Sequence, residues 1–185
     1  FPWATSLIIQ AGVWKFIIDK DYGALNTLLM KIGLISSPVN WTPTPGAYFA
    51  WEIFVGIFVT VPFVTFCVLS GLQSIDNSYY EAATVDGANY WQKLFKITLP
   101  LVKSSLTVST VLNIIYVFNS FPIIWTITKG DPASRTDTLV TYLYKLAFYK
   151  GKSGEAAAVS VIGFLILCIC ASVYMVLSLR KEDED

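Results

Sequence analysis

The 185-residue sequence contains no histidine, and only 14% of its residues are charged. Without histidine the chain lacks the side chain that titrates near neutral pH and the commonest metal ligand. Soluble domains carry about 25% charged residues, so too little charge is present to coat a water-facing surface. Thirteen basic residues balance thirteen acidic ones, leaving no positive excess to attract nucleic acid. The three cysteines, Cys67, Cys168 and Cys170, all lie in apolar runs. Cys168 and Cys170 are two apart, so on a helix they point to different faces and form no metal pair. They read as small packing residues, and no metal site is expected. A Gly-rich phosphate loop ending in Lys-Ser or Lys-Thr is also missing, so ATP hydrolysis needs another chain. No basic leader with a small-residue cleavage site opens the sequence, which begins at Phe1 already inside apolar residues. That start is expected of a chain beginning part-way through a longer protein.

What is present is apolar and clustered. Hydrophobic residues make up 55% and aromatics 15%, with a mean hydropathy of +0.58. Four segments stand out as membrane spans, at about 1–18, 47–72, 104–127 and 156–179. A span needs about 20 apolar residues, and backbone surrounded by hydrocarbon must be helical. The expected fold is therefore an all-α integral membrane protein with about four transmembrane helices, forming one domain over 1–185. Glu52 lies near the start of the second segment beside Trp51, where a charge can reach interfacial water. Gln10 is a further, weaker polar candidate; Trp3, Trp14 and Trp125 read as packing or interface anchors. Pro62 is expected to kink its span.

The stretch from Asp76 to Lys103 is polar and helix-forming. Asn77 or Ser78 can cap a helix with Glu81 in its first turn, where an acid suits the helix dipole. Ala82, Ala83 and Ala88 keep one surface low, and Gly87 permits a sharp bend after Asp86. Tyr90, Trp91, Leu94 and Phe95 form an apolar ridge at helical spacing, and Pro100 marks a break before the next span. The result is a helix–Gly–helix elbow with a flat face for a partner. The alternative is an ordinary amphipathic loop that caps the bundle.

This stretch resembles the EAA motif of ABC importer permeases: Glu-Ala-Ala, three variable residues, Gly, and a later Ile-x-Leu-Pro. Glu81-Ala82-Ala83, Gly87 and Ile97-Thr98-Leu99-Pro100 fit it at the expected spacing. The resemblance implies the C-terminal part of a roughly six-helix permease core with a cytoplasmic coupling-helix elbow at 76–103. Glu81, Ala82, Ala83, Asp86, Gly87, Ala88, Leu99 and Pro100 would couple it to an ATPase. A count of lysines and arginines by the positive-inside rule slightly favours the opposite orientation, and the resemblance overrides it. It also implies a multi-pass protein of a bacterial or archaeal cytoplasmic membrane. The implied partners are a companion permease, two ATPase subunits that bind ATP and Mg, and an extracytoplasmic solute-binding protein. No cofactor is expected in this chain, and no enzymatic activity.

Further segments resemble the sugar branch of the family, the maltose- and glycerol-phosphate-type permeases. These are Tyr22-Gly23-Ala24-Leu25-Asn26, the run Gly71-Leu72-Gln73-Ser74-Ile75, and Thr128-Lys129-Gly130-Asp131-Pro132 with Thr136-Asp137-Thr138-Leu139. In the last, Asp131 stands where the branch usually has a second glycine. In the third span Asn113, Tyr116, Asn119 and Ser120 recur at three- and four-residue intervals, making one helix face polar. Such groups are costly in lipid unless they face a bundle interior or a wet path. An aromatic ring beside hydrogen-bonding groups suits a sugar, and similarity to maltose-type permeases supports these residues as the substrate-binding set. The alternative is that they only bond neighbouring helices.

The expected function is the permease subunit of an ATP-driven importer, moving a disaccharide or oligosaccharide by alternating access. The same importer carrying glycerol phosphate or a polyol is one alternative. A secondary transporter driven by an ion gradient is another, but it would favour a buried mid-membrane charge, and Glu52 reads as peripheral. An intramembrane enzyme would want paired acids or a serine–histidine set within the spans, and neither is present.

Overall fold

The computed structural model describes residues 5–180, and these are helical with no strand among them. In chain order they form α1 (Leu7–Ile17), α2 (Ala24–Lys31), α3 (Pro45–Gln73) and α4 (Asn77–Val85). Next comes α5, which starts at Tyr90–Lys93, widens into a π-helical turn at Leu94–Thr98 and closes at Leu99–Leu101. It is followed by α6 (Lys103–Phe118), α7 (Phe121–Ile127), α8 (Leu139–Tyr144, continued by a π turn at Lys145–Tyr149) and α9 (Ser153–Arg180). Trp3 and the acidic tail after Arg180 lie outside the described residues.

Helices α3 and α9 are long and apolar enough to cross a membrane. At 1.5 Å per residue, the 29 residues of α3 exceed the roughly 30 Å hydrocarbon core. Thr44 and Pro45 start α3: the Thr44 hydroxyl accepts the Ala47 N–H at 3.2 Å, and proline at the first position lacks only an N–H that would have had no partner. Pro62 sits inside this helix without interrupting it.

Two of the expected spans take a different form. The first is an 11-residue helix among the described residues, Leu7–Ile17. The segment read as one span over 104–127 is two helices, broken at Asn119 and Ser120. The physical reason is Pro122, whose ring would clash with the carbonyl four residues earlier and which has no N–H to bond it. The chain restarts instead, with Pro122 in the first turn of α7. The break expected before the next span is there, two residues beyond Pro100. Pro100 follows the π turn, where the Leu99 N–H reaches back five residues to Leu94, and the 61° bend between α5 and α6 falls at Val102.

The chain divides into two compact units. One is formed by the chain up to Val59 and by Val117–Cys168. Its core is Ala11, Val55, Val59, Ile123 and Ile127, with Leu7, Trp14 and Tyr48 packed against it. Trp14 meets Phe54 and Phe58 edge-on, with ring centroids at 4.9 and 5.2 Å. Asn26, only 2% exposed, clamps the loop after α2. Its amide donates to the carbonyls of Lys20 and Val39, and its oxygen accepts from the Val39 N–H and the Trp41 indole.

The second unit comprises Thr60–Tyr116 and the chain from Ile169 onward. There a Cβ on Gly71 would lie 2.6 Å from Ser105 Oγ, so the absence of a side chain lets α3 and α6 approach closely. Hydroxyls of Thr107 and Ser178 bond α6 to α9.

Candidate functional site

The elbow is a helix stop followed at once by a helix start. Asp76, not Asn77 or Ser78, caps α4: its carboxylate accepts the Ser78 N–H at 2.8 Å. That bond, with a contact to the Ser78 side chain, holds the Asp76 carboxyl below its usual range. The one-residue shift in the cap leaves Glu81 in the second turn, and the first turn carries no acid. At the other end the Gly87 N–H bonds Thr84 O at 3.1 Å and the Ala88 N–H bonds Ala83 O at 2.8 Å. This pair of bonds is the Schellman motif, which needs a left-handed residue, and Gly87 supplies φ +76°. Two residues later Asn89 and Gln92 form a reciprocal capping box at 2.9 and 2.8 Å that starts α5.

Two side-chain bonds brace the elbow. Lys93 Nζ donates to Thr84 Oγ1 at 2.7 Å, and the Tyr80 and Thr98 hydroxyls meet at 3.0 Å. The outward surface is apolar: Val85, Tyr90, Trp91 and Phe95 are all exposed, Val85 by 89%. Trp91 stacks on Phe95 at 6.1 Å. Glu81, Ala82, Asp86, Leu99 and Pro100 are exposed, whereas Ala83 and Ala88 are half-buried. The braced turn thus presents a mostly small or apolar face of fixed shape.

Of the four polar residues read onto one face, the structure keeps two on a single helix. Asn113 and Tyr116 are three apart in α6 and share a side of it. Neither side chain bonds another described residue, which leaves an amide and a phenol open to a ligand. Asn119 lies in the break, and Ser120 is the residue before α7, with no capping bond from its side chain. The helical spacing that grouped all four does not survive the break.

Glu52 does not reach water, contrary to the expectation for it. It is 4% exposed, and its Oε1 accepts the Thr128 hydroxyl at 2.6 Å, while Oε2 has no hydrogen-bond partner. Thr128 Oγ1 also accepts the Gly130 N–H at 3.0 Å and meets Thr136 Oγ1 at 2.9 Å. Beside it the Asp137 carboxylate pairs with Lys145 at 2.9 Å. A Cβ on Gly130, at φ +86°, would fall on the Asp137 carboxylate, so any side chain there would displace the Asp137–Lys145 pair. Gln10 is likewise buried and donates through Nε2 to Thr5 O at 3.1 Å. The loop bearing Thr128, Gly130, Thr136 and Asp137 stands out in the sequence by its resemblance to the sugar branch, but its bond to Glu52, 76 positions away, does not.

Residues 3–181 match the family described as binding-protein-dependent transport system inner membrane component. A probable ABC transporter permease of Brucella suis biovar 1 (strain 1330) is 49% identical over 98% of this chain and 63% of its own length. A trehalose/maltose transport system permease of Thermococcus litoralis is 35% identical over 98% of this chain and 61% of its own. The crystal structure of a bacterial ABC transporter involved in import of the acidic polysaccharide alginate superposes with a TM-score of 0.84 at 25% identity. That match covers 97% of this chain and 62% of the solved one. The chain therefore spans a little under two thirds of the length of these relatives. With an all-helical fold, apolar membrane-length helices and a match over nearly its whole length, the chain belongs to the family of binding-protein-dependent transport inner membrane components, the permeases of ABC importers.

Proposed function

We propose that this chain is the membrane-embedded part of an importer permease that moves a disaccharide or oligosaccharide across the cytoplasmic membrane. The observation that carries the reading is the elbow, where Gly87 in the left-handed region joins two capped helices and turns an exposed face outward. A rigid, braced turn can pass a push from a partner to the helices flanking it. In this reading the partner is one of two ATPase subunits, which bind ATP and Mg. Their closure moves α4 and α5 and, with them, the helices that follow, so access alternates by a rigid-body step. Glu81, Ala82, Ala83, Asp86, Gly87, Ala88, Leu99 and Pro100 form the coupling surface. A companion permease completes the path, and an extracytoplasmic binding protein delivers the sugar. The chain itself catalyses no reaction.

Asn113 and Tyr116 are the substrate contacts this reading favours, with Asn119 and Ser120 as neighbours in the chain break. The sugar class is supported by the trehalose/maltose permease and by the alginate importer. The test is ATPase activity of the complete complex in lipid, with its binding protein loaded with maltose, trehalose or alginate oligosaccharides. Stimulation by one of them supports the reading and names the substrate. If none stimulates while glycerol phosphate does, the importer class stands and the sugar does not. Failure of the permease to co-purify with any ATPase subunit overturns the coupling role.

A further inference from the structure

In the first unit a cleft of about 400 Å³ opens between the end of α1, the loop after α2, the first turn of α3 and the loop after α7. That volume lies within the range of small-molecule sites, about 300–1,000 Å³. Buried Ile127 helps form its floor. The groups around it have hydrogen-bonding capacity to spare. Asp19 takes the N–H groups of Asp21 and Tyr22 on one oxygen, at 2.9 Å each, leaving the other free. Those two bonds hold its carboxyl below the usual range, so it is a charged acceptor. Asn40 accepts the Thr42 N–H and donates nothing with its amide. The Tyr48 hydroxyl, the Lys20 ammonium and the Asp131 carboxylate bond no other described residue.

Two lysines, Lys15 and Lys20, face two aspartates in this cleft, so its formal charge is zero and nothing in it selects an anion. Lys15 is already committed, donating to Thr126 O at 3.0 Å. Acceptors, donors and one phenol ring around a neutral cleft match a polyhydroxylated ring: carboxylate and amide take the hydroxyls, and the aromatic face meets the C–H face.

The wall bearing Asp131 is set in advance. Lys129, Ala133 and Ser134 all have φ between +54° and +57°, a left-handed conformation that non-glycine residues hold only when their surroundings enforce it. Glu52 holds the start of this loop through Thr128, and Thr136 closes it on the carbonyl of Asp131 at 2.9 Å. Strain kept in place by a buried network marks a surface whose shape matters.

We propose that this cleft is a vestibule site for a neutral mono- or disaccharide, occupied before the sugar enters the membrane path, with Glu52 as the residue that positions its wall. The assignment of the cleft to the outer side rests on the importer reading. Tyr48 lies in the first turn of α3, and the elbow assigned to the cytoplasm follows the last turn of that helix.

The test uses the complete importer in lipid nanodiscs with Thr42→Cys, a lining position whose hydroxyl makes one long bond, to Asn40 Oδ1 at 3.4 Å, and whose N–H bond to Asn40 is kept. Labelling by a membrane-impermeant maleimide is timed with about 10 mM maltose or trehalose, and with glycerol 3-phosphate or betaine as controls. The parent complex corrects for the native cysteines. A site of about 5 mM affinity slows labelling about threefold, by the factor 1 + [L]/Kd. Tyr48→Ala, added to Thr42→Cys, should abolish this protection in a complex that still co-purifies. If a sugar stimulates the ATPase through its binding protein but leaves labelling unchanged, the vestibule is overturned and the importer reading stands. Protection by glycerol 3-phosphate alone overturns the neutral-sugar assignment. Absence of both stimulation and protection with every sugar overturns the vestibule and the sugar assignment together, and stimulation by glycerol phosphate would then keep the importer class.

Discussion

The hydroxyl of Thr128 donates to the buried carboxylate of Glu52 at 2.6 Å, tying the loop after α7 to the inside of α3. Thr128 has a second acceptor within reach, Ile124 O at 3.3 Å, so loss of Glu52 need not strand its proton. Glu52→Gln keeps an acceptor for Thr128 and should change stability little. Glu52→Ala removes it and leaves a void, with an expected loss of about 1–3 kcal/mol. Denaturation of the purified complex in detergent, followed by loss of the folded permease, measures both. Equal losses for the two variants would show that charge, and not the bond to Thr128, is what matters at this position.

Asn26 makes a sharper case, because all its bonding capacity is used and it is nearly inaccessible. Replacement by Ala leaves the Val39 N–H and the Trp41 indole without their acceptor, at about 1–3 kcal/mol for each buried group left unpaired. Asn26→Asp should be no milder. It keeps the acceptor but turns a carboxylate toward the carbonyls of Lys20 and Val39. Thermal melts of the parent complex and of the Asn26→Ala and Asn26→Asp complexes decide this, and a near-native melt for Asn26→Asp would sink it.

How much of this is legible in the sequence depends on how local the cause is. The elbow is legible in Glu81-Ala82-Ala83 and Gly87, because helix stops and starts are written within six residues, and α3 begins at Pro45, two residues before the expected 47. The cap at Asp76 falls one position before the expected pair, since Asp76, Asn77 and Ser78 are all good caps and only the backbone picks one. The break at Asn119 and Ser120 escapes a hydropathy reading because hydropathy runs through it without change. The burial of Glu52 is missed because its position near a helix start says nothing of a threonine far along the chain. Local patterns read well, and tertiary burial does not.

Gly87 has open space around a notional Cβ, with no atom within 4 Å, so its need for glycine is a matter of backbone angle. Gly87→Ala should cost about 1–2 kcal/mol in the elbow, Gly87→Asn less, because Asn tolerates the left-handed region, and Gly87→Val more. Coupling, read as sugar taken up per ATP hydrolysed, should fall in the same order. If Asn proves as harmful as Val, the glycine is needed for a close partner and not for its φ.

Asp76 predicts a pH effect of definite sign. Its carboxyl sits below the ordinary value of 3.8 because the Ser78 N–H bonds the charged form. A depressed value means the cap helps fully above pH 3.8 and is lost as pH falls through the lowered one. Hydrogen exchange at the first amides of α4 should therefore be faster in Asp76→Ala than in the parent near neutral pH. The two should converge in strong acid. A difference that persists there would assign the protection to something other than the charged cap.

Asn113 and Tyr116 offer the last distinction, between a sugar contact and a bond to a neighbouring helix. Both side chains lack a partner among the described residues, so in this chain nothing is lost by trimming them. Tyr116→Phe removes one hydroxyl and Asn113→Ala one amide, each worth about 1 kcal/mol if it bonds the sugar. That corresponds to a roughly five- to tenfold drop in uptake, with basal ATPase activity and the amount of assembled complex unchanged. If the complex instead assembles poorly, the two groups hold a partner helix. Asn119 and Ser120, displaced from the helical face by the break, should give smaller effects on uptake when replaced by Ala. Effects as large as those at Tyr116 would mean that the break itself is shaped to the sugar.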